Sequence, residues 1–339
     1  MAPNVDRQRG IETKTVRVAL VYNADSTFVQ RDRSILREAF DVRDVHWRGK
    51  RSIPQLASAV LRSDVTFSWF ALDHAYGACR LARLFGRRTI VVVGGVDAAR
   101  RADLNYGVHL DPRMGPRSRY ALLHTDRVLV VDDSLRGEIA ANTGIRRPEI
   151  LTVHLGFDTE DFRPDGGSKN NVLTVGIVDQ INLHRKGLLT FLECARLLPE
   201  LPFVLVGARA NDATARLRKA APSNVRILGH VSDDQLRVEF RRARVYVQAS
   251  EYEGLPTALG EAMSCACVPV GTQVAGIPTL IGNTGFYVPP ADPVSTADAI
   301  RRAYDTEDGE SARRRIIEHF SRDRRRDALI RIVEDLANG

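Results

Sequence analysis

The sequence predicts an α/β protein built on two open parallel sheets, and three observations carry that expectation. At 339 residues the chain is too long for one typical domain and right for two. Its apolar runs are short and rich in β-branched residues, the mark of strands buried on both faces. Between them lie stretches with helical spacing, so strand and helix alternate in both halves. No internal repeat or low-complexity segment interrupts the rhythm.

Composition sets the bounds. Apolar residues make up 44% and charged residues 27% of the chain, ordinary values for a soluble globular protein. No apolar run approaches the roughly 20 residues a membrane span needs. Residues 1–15 are polar, lack the apolar core of a signal peptide, and read as a loose tail of a cytosolic protein. Cys79, Cys194, Cys265 and Cys267 fall in helical or apolar contexts, which points to reduced, buried thiols; no second ligand pair supports a metal site, and none is assigned. The net charge of +7 favours anionic partners such as nucleotides or an anionic membrane surface. Nucleic acid is not among the expected partners, because no nucleic-acid module is present and an aromatic content of 6% offers no stacking platform.

Taken in order, VRVALVY (residues 16–22) is a buried strand, and VQRDRSILREAF follows as a helix on Val29, Ile35, Leu36 and Phe40, with Ser26 or Thr27 as its cap. DVRDVHW is a strand, SIPQLASAVLRS a helix and DVTFSWF a strand. ALDHAYGACRLARLFG is a helix closed by Gly86. TIVVVGGVD is the strongest strand of this half. Open parallel sheets bind ligands at the carboxyl ends of their strands. Asp73, His74, Asp97, Asn105 and Tyr106 fall at such ends and form the candidate ligand face of this half, although His74 also fits a satisfied helix-start histidine and Asp97 a helix cap. RVLVVDDSLRGEIAANTG is a strand and a helix capped by Ser134; EILTVHLGFDTEDFRPDG ends the half, with Pro164, Gly166 and Gly167 marking a linker.

The second half opens on NVLTV, a strand, then a loop from Gly176 to Gly187 and an amphipathic helix. Arg185 and Lys186 stand where that loop turns into the helix. Two cations beside a helix N-terminus are costly unless an anion joins them. FVLVGARAND adds a strand with Arg209 just past its end, and VRILGHVSDDQLRVEFRRA carries a Gly-His-Val turn with His230 and Val231. CVPVGTQVAGIPTLIGNTGFYVPPAD holds two short strands around a Gly-Pro loop. The chain closes on helices whose last one carries a stripe of Leu329, Ile332, Val333 and Leu336, with Arg324 to Arg326 largely off it.

The organising stretch is ASEYEGLPTALGEAM (residues 249–263): a strand end, a tight turn and a helix expected to begin at Pro256. The unpaired amides of Gly254 to Ala258 favour an anion. A carboxylate stands on each side, Glu253 before the turn and Glu261 after it. Bare phosphate gains little from two glutamates, whereas a phosphate carrying sugars supplies hydroxyl donors for them. The pattern suits a sugar nucleotide.

EYEGLPTALGEAM resembles the paired-glutamate segment of retaining glycosyltransferases of the GT-B fold, glycosyltransferase family 4 in particular. The resemblance implies two Rossmann-like doubly wound domains facing a cleft: residues 16–164 for the acceptor, residues 165–318 for the donor, and a terminal helix (319–339) crossing back to the first. It implies that Glu253 touches hydroxyls of the transferred sugar, the amides near Leu255 to Thr257, on either side of Pro256, the diphosphate and sugar, and Glu261 the ribose. Lys186 would neutralise the departing diphosphate, which makes Lys186 and Glu253 the catalytic candidates. Gly176, Arg185, Arg209, His230, Val231 and Gly254 complete the donor site, and Asp73, His74, Asp97, Asn105 and Tyr106 become acceptor-side candidates. Relatives carry an Arg where this chain has Ile177, with Arg185 or Arg209 as substitutes, and a Gly-Gly loop after the first strand that this chain lacks. The implied activity is metal-independent, retaining transfer of a hexosyl-type sugar from a nucleoside-diphosphate sugar to a hydroxyl, without further cofactor. Candidate settings are glycolipid, cell-envelope or polysaccharide synthesis in the cytoplasm or at the inner face of the membrane. A non-catalytic nucleotide-sugar-binding protein and a GT-B sugar-nucleotide epimerase or hydrolase are the alternatives.

Overall fold

The computed structural model describes residues 15–306 and 308–339; the tail expected over residues 1–15 falls outside them except for Thr15. Six strands of the first half form one sheet: β1 (Arg17–Tyr22), β2 (Asp41–His46), β3 (Val65–Trp69), β4 (Arg88–Val93), β5 (Arg127–Val130) and β6 (Ile150–Thr152), in the order β2-β1-β3-β4-β5-β6. The second sheet is formed by β7 (Asn171–Val175), β8 (Phe203–Val206), β9 (Val225–Leu228), β10 (Ala243–Gln248), β11 (Val268–Thr272) and β12 (Phe286–Val288), in the order β12-β11-β10-β7-β8-β9. Every pairing within the two sheets is parallel. This is the two-sheet α/β fold of the GT-B class. β1, β3, β4 and β5 are almost fully buried, as strands covered by helices on both faces must be.

The first half carries the helices α1 (Thr27–Ala39), α2 (Ile53–Arg62), α3 (Asp73–Phe85), α4 (Met114–His124) and α5 (Ser134–Thr143). Gly86 closes α3 in the left-handed region at φ 63°. Residue 134 is not the cap of α5: Asp133 holds that position, and Ser134 begins the helix with its amide and hydroxyl both on Asp132. α4 has no counterpart in the pattern reading. Its segment MGPRSRYALLH breaks the apolar period with Gly, Pro and Arg, and packing against α3 sustains it.

In the second half come α6 (Gln180–Arg185), α7 (Leu188–Leu197), α8 (Asp212–Ala220), α9 (Asp233–Arg242), α10 (Thr257–Ser264), α11 (Ile277–Ile281), α12 (Pro293–Asp305), α13 (Gly309–Phe320) and α14 (Arg322–Asn338). The expected loop from Gly176 to Gly187 therefore contains a short helix, α6, capped by the Asp179 side chain on the Asn182 amide. The Gly-Pro loop between β11 and β12 likewise holds α11. Pro256 is the cap of α10 rather than its first residue.

Two contacts join the halves at the chain crossing. Phe157 accepts the Arg322 amide and donates to Phe320 O, and α14 packs on α1. Arg325, off the apolar stripe in the sequence pattern, is nevertheless buried. It is 3% exposed and bonds both oxygens of buried Asp32 on α1, at 2.6 and 2.7 Å, and the carbonyls of Val153 and His154. Asp32 also accepts the Trp69 indole N–H. All four cysteines are free and buried.

Candidate functional site

Each sheet reverses its strand order once, and open sheets bind ligands outside the carboxyl ends of the strands at that reversal. In the first sheet the reversal lies between β1 and β3, in the second between β7 and β10. A cavity of about 480 Å³ lies between the halves and is lined from both places: Thr27, Phe28, Trp69 and Phe70 on one side, Gly176, Gln248 and Glu253 on the other. A wider hollow of about 740 Å³ opens at the opposite ends of β7, β8 and β9 and gathers no comparable chemistry.

The second-half wall is built by backbone fit. Gly187, at φ 62°, joins α6 to α7; a Cβ there would lie 2.0 Å from Ala249 O. That close approach lets the Glu251 amide donate to Arg185 O at 2.8 Å, locking the two loops together. Lys186 then passes over Gly176, where a Cβ would come within 2.8 Å of Lys186 Cδ. Its ammonium reaches Glu253 Oε1 at 2.7 Å.

Glu253 is 7% exposed. Burial alone raises its carboxyl, but Lys186 and Arg185 outweigh this and hold it below its ordinary value. Its oxygens are used unequally. Oε1 accepts from Lys186, from Ser250 Oγ at 3.0 Å and from Gln248 Nε2 at 3.2 Å, while among the described residues Oε2 has only Arg185 Nη1 at 3.6 Å, beyond a good hydrogen bond. Arg185 is itself pinned by Asn182 Oδ1 and Tyr252 O, with the Tyr106 ring 4.6 Å away.

Beside this pair lies the turn into α10. Gly254 must be glycine, since a Cβ would come within 2.1 Å of Gly94 O from the first half. Among the described residues no protein acceptor takes the amide protons of Leu255, Thr257 or Ala258, and Pro256 caps without a side-chain bond. A helix start with free amides beside a lysine is an anion site.

Of the sequence-derived candidates, Gly176, Arg185, Lys186, His230, Val231, Glu253, Gly254, Leu255, Pro256, Thr257 and Tyr106 line this one cavity. The others do not. Arg209 is exposed outside it, whereas Arg185 lines it together with Ile177, which is 43% exposed. Glu261 faces Arg31 of α1 in a buried ion pair that bridges the halves; burial raises its carboxyl although Arg31 opposes the shift. Arg185 ends α6 and Lys186 caps it, at the C-terminal end where the dipole favours cations, so the strain expected of them is relieved by α6 and by Glu253.

Most of the expected polar face of the first half serves the fold. Asp97 is fully buried and accepts the amides of Ala71, Gly94 and Gly95; burial pushes it up to about 6 against those bonds. His74 is buried with Nε2 donating to Trp69 O, and desolvation pushes it down to about 4. Asp73 pairs with Arg117 at 2.7 Å, and Asn105 is exposed at φ 48°. Tyr106 is the exception: it lines the cavity, and burial pushes its hydroxyl up to about 12. Pattern reading passed over Phe28, Phe70, Gln248 and Ser250. The paired glycines at 94 and 95 were the available signal for Phe70, whose ring occupies the space a side chain at 94 would take.

Residues 169–306 match the family described as glycosyl transferases group 1. The chain is 32% identical over 187 residues to the O-antigen chain mannosyltransferase B of Escherichia coli, covering 49% of this chain and 48% of that protein. It is 22% identical over 193 residues to a phosphatidylinositol N-acetylglucosaminyltransferase subunit from Arabidopsis thaliana, covering 55% and 43%. The chain thus spans less than half the length of these curated relatives. In fold it is similar to HepE of Anabaena in complex with UDP, with a TM-score of 0.75 at 12% identity over 94% of this chain and 100% of that one.

Proposed function

We propose that the protein is a retaining, metal-independent glycosyltransferase of family 4 that moves a hexosyl-type sugar from a nucleoside-diphosphate sugar to an acceptor hydroxyl. The observation that carries this reading is the Lys186–Glu253 pair, 2.7 Å apart beside the free amides of Leu255, Thr257 and Ala258 in a cavity between two sheets. The amides and Lys186 hold the diphosphate. Glu253 Oε2, with no close partner among the described residues, accepts a hydroxyl of the transferred sugar, while Oε1 keeps Lys186 aimed at the phosphates. The bond from the anomeric carbon to the diphosphate breaks as the acceptor oxygen bonds the same face of that carbon, and the acceptor's proton passes to a phosphate oxygen. Positive charge already in place stabilises the leaving group without reorganisation. No cofactor beyond the donor is needed.

The neighbour solved with UDP supports a nucleoside-diphosphate donor, and the mannosyl and N-acetylglucosaminyl activities named for the relatives support a hexosyl-type sugar. The second of those relatives, named for phosphatidylinositol, supports a lipid-linked acceptor met at a membrane face. Among the described residues no helix is long and apolar enough to cross a membrane. Ile177, apolar where a further cation would help the leaving group, favours the second reading of a non-catalytic nucleotide-sugar binder.

A panel of nucleotide sugars screened by thermal shift tests the reading: the true donor at a hundredfold its Kd stabilises the fold by about 2.7 kcal/mol. Incubating that donor with acceptor hydroxyls then separates transfer from mere binding. Epimer or free sugar formed without acceptor would identify an epimerase or hydrolase instead.

A further inference from the structure

The two walls of the cavity differ in charge. Among the described residues the second half contributes Arg185, Lys186, Asp233 and Glu253, and the first half contributes Thr27, Phe28, Trp69, Phe70, Val96 and other uncharged residues only. Phe28 and Phe70 follow β1 and β3, the two strands between which the order reverses, which is where an open sheet binds its ligand. Phe70 sits at φ 69°, a region that aromatic side chains avoid. Its backbone is held there by bonds to Val92 O at 2.8 Å and from the Leu72 amide at 2.9 Å, with the Ala71 amide fixed by Asp97. The ring leans over Gly94, where a Cβ would lie 2.5 Å from Phe70 Cε1. Phe28 meets it edge-on at 5.7 Å and Trp69 at 5.6 Å, and Trp69 is fixed in turn by Asp32. Glycine would suit this backbone better; a strained aromatic kept half-exposed in a cavity has a use other than folding.

We propose that Phe70 and Phe28 form the acceptor subsite, and that this subsite takes hydroxyl compounds presenting a neutral apolar face, the C–H face of a sugar ring or an aryl or alkyl aglycone, in preference to anionic ones. Calling the ligand an acceptor rests on the glycosyl-transfer reading; its chemistry rests on the wall itself. A ring face stacks on an aromatic one, and an uncharged wall offers an anion no compensation for lost water.

The test uses methyl, phenyl and octyl glucoside, the last below its micelle concentration, with glucose 6-phosphate as the anionic probe. Binding to the wild type, Phe70→Gly and Phe28→Ala is read by saturation-transfer NMR, with and without UDP. UDP, GDP and ADP are titrated separately into each protein. Phe70→Gly relieves the unfavourable φ, so loss of its ring is not confounded with misfolding, and Phe28→Ala gives an independent reading. Neutral glucosides should bind, glucose 6-phosphate should bind more weakly once UDP fills the anion site, and each ring deletion should weaken the neutral probes by about fivefold or more while nucleotide affinity holds. Equal binding of methyl and phenyl glucoside assigns the sugar ring to the subsite; tighter binding of phenyl or octyl glucoside assigns the aglycone. With UDP occupying the anion site, glucose 6-phosphate binding as well as methyl glucoside, or ring variants that bind unchanged, overturns the proposal. Nucleotide binding without any neutral glucoside binding also overturns it and leaves the donor reading standing. Phe70-dependent glucoside binding with no nucleotide bound overturns the donor reading alone.

Discussion

The second sheet offers Gly176, Lys186 and Glu253 at the ends flanking its reversal of strand order, while the first sheet offers Phe28 and Phe70 at the corresponding place. The two walls stand on similar architecture and are held differently. The charged wall is tuned by close backbone approach, through Gly187 against Ala249 and Gly176 beneath Lys186. The aromatic wall is braced from behind by an ion pair that the terminal helix brings across the molecule. A single scaffold can thus carry charged groups on one wall and aromatic rings on the other.

If the aromatic wall depends on its brace, removing Arg325 should have the largest effect. Arg325→Ala leaves Asp32 charged and buried with the Trp69 indole as its remaining side-chain partner, and denaturant unfolding should show a loss of about 3–5 kcal/mol with altered tryptophan fluorescence. A loss no larger than that of a surface pair would sever the wall from the helix.

The charged wall is broken by Lys186→Ala. Loss of one charge-stabilising contact costs about 2.7–4 kcal/mol in the transition state, so turnover should fall by about a hundredfold to a thousandfold while donor affinity changes far less. Equal loss in both would make Lys186 a binding residue only. Gly187→Ala comes next. It forces a Cβ onto Ala249 O at a positive φ, and calorimetric melting should report about 1–3 kcal/mol of destabilisation.

These effects bear on how much of the molecule its sequence discloses. The charged wall was legible because its chemistry is local in sequence: Glu253 and the free amides share one turn, and Lys186 stands out beside a glycine. Glu261 shared that turn, yet its partner Arg31 lies 230 residues away and no pattern announces the pair. On the aromatic wall, polar residues at strand ends suggested a ligand face, but Asp97 and His74 proved to be spent on backbone groups. Which strand ends meet at the cleft depends on sheet order, and that order is set by packing between distant segments. α4 and α6 were missed for a related reason, since tertiary contact and a side-chain cap sustain what weak propensity does not.

A smaller effect separates structural from ligand-facing polar groups. His74 is neutral in the fold, pushed down to about 4 from 6.5, so the stability it contributes is complete above pH 6.5 and is lost as pH falls toward 4. The loss is at most about 1.4 kcal/mol per pH unit. Asp97, pushed up to about 6 from 3.8, works oppositely, regaining stability as pH falls through the same range. The difference in melting temperature between wild type and His74→Gln across pH 4 to 7 therefore reads His74 alone, and should widen at the neutral end. Asp73→Asn, which breaks a half-exposed pair with Arg117, should cost under about 1 kcal/mol.

Hydrogen exchange at single-residue resolution across residues 254–258, with and without a nucleoside diphosphate that binds, reaches the anion grip itself. The amides of Leu255, Thr257 and Ala258 should gain protection with the diphosphate and none with the corresponding nucleoside. A bound diphosphate that leaves those three amides exchanging as before would contradict the account.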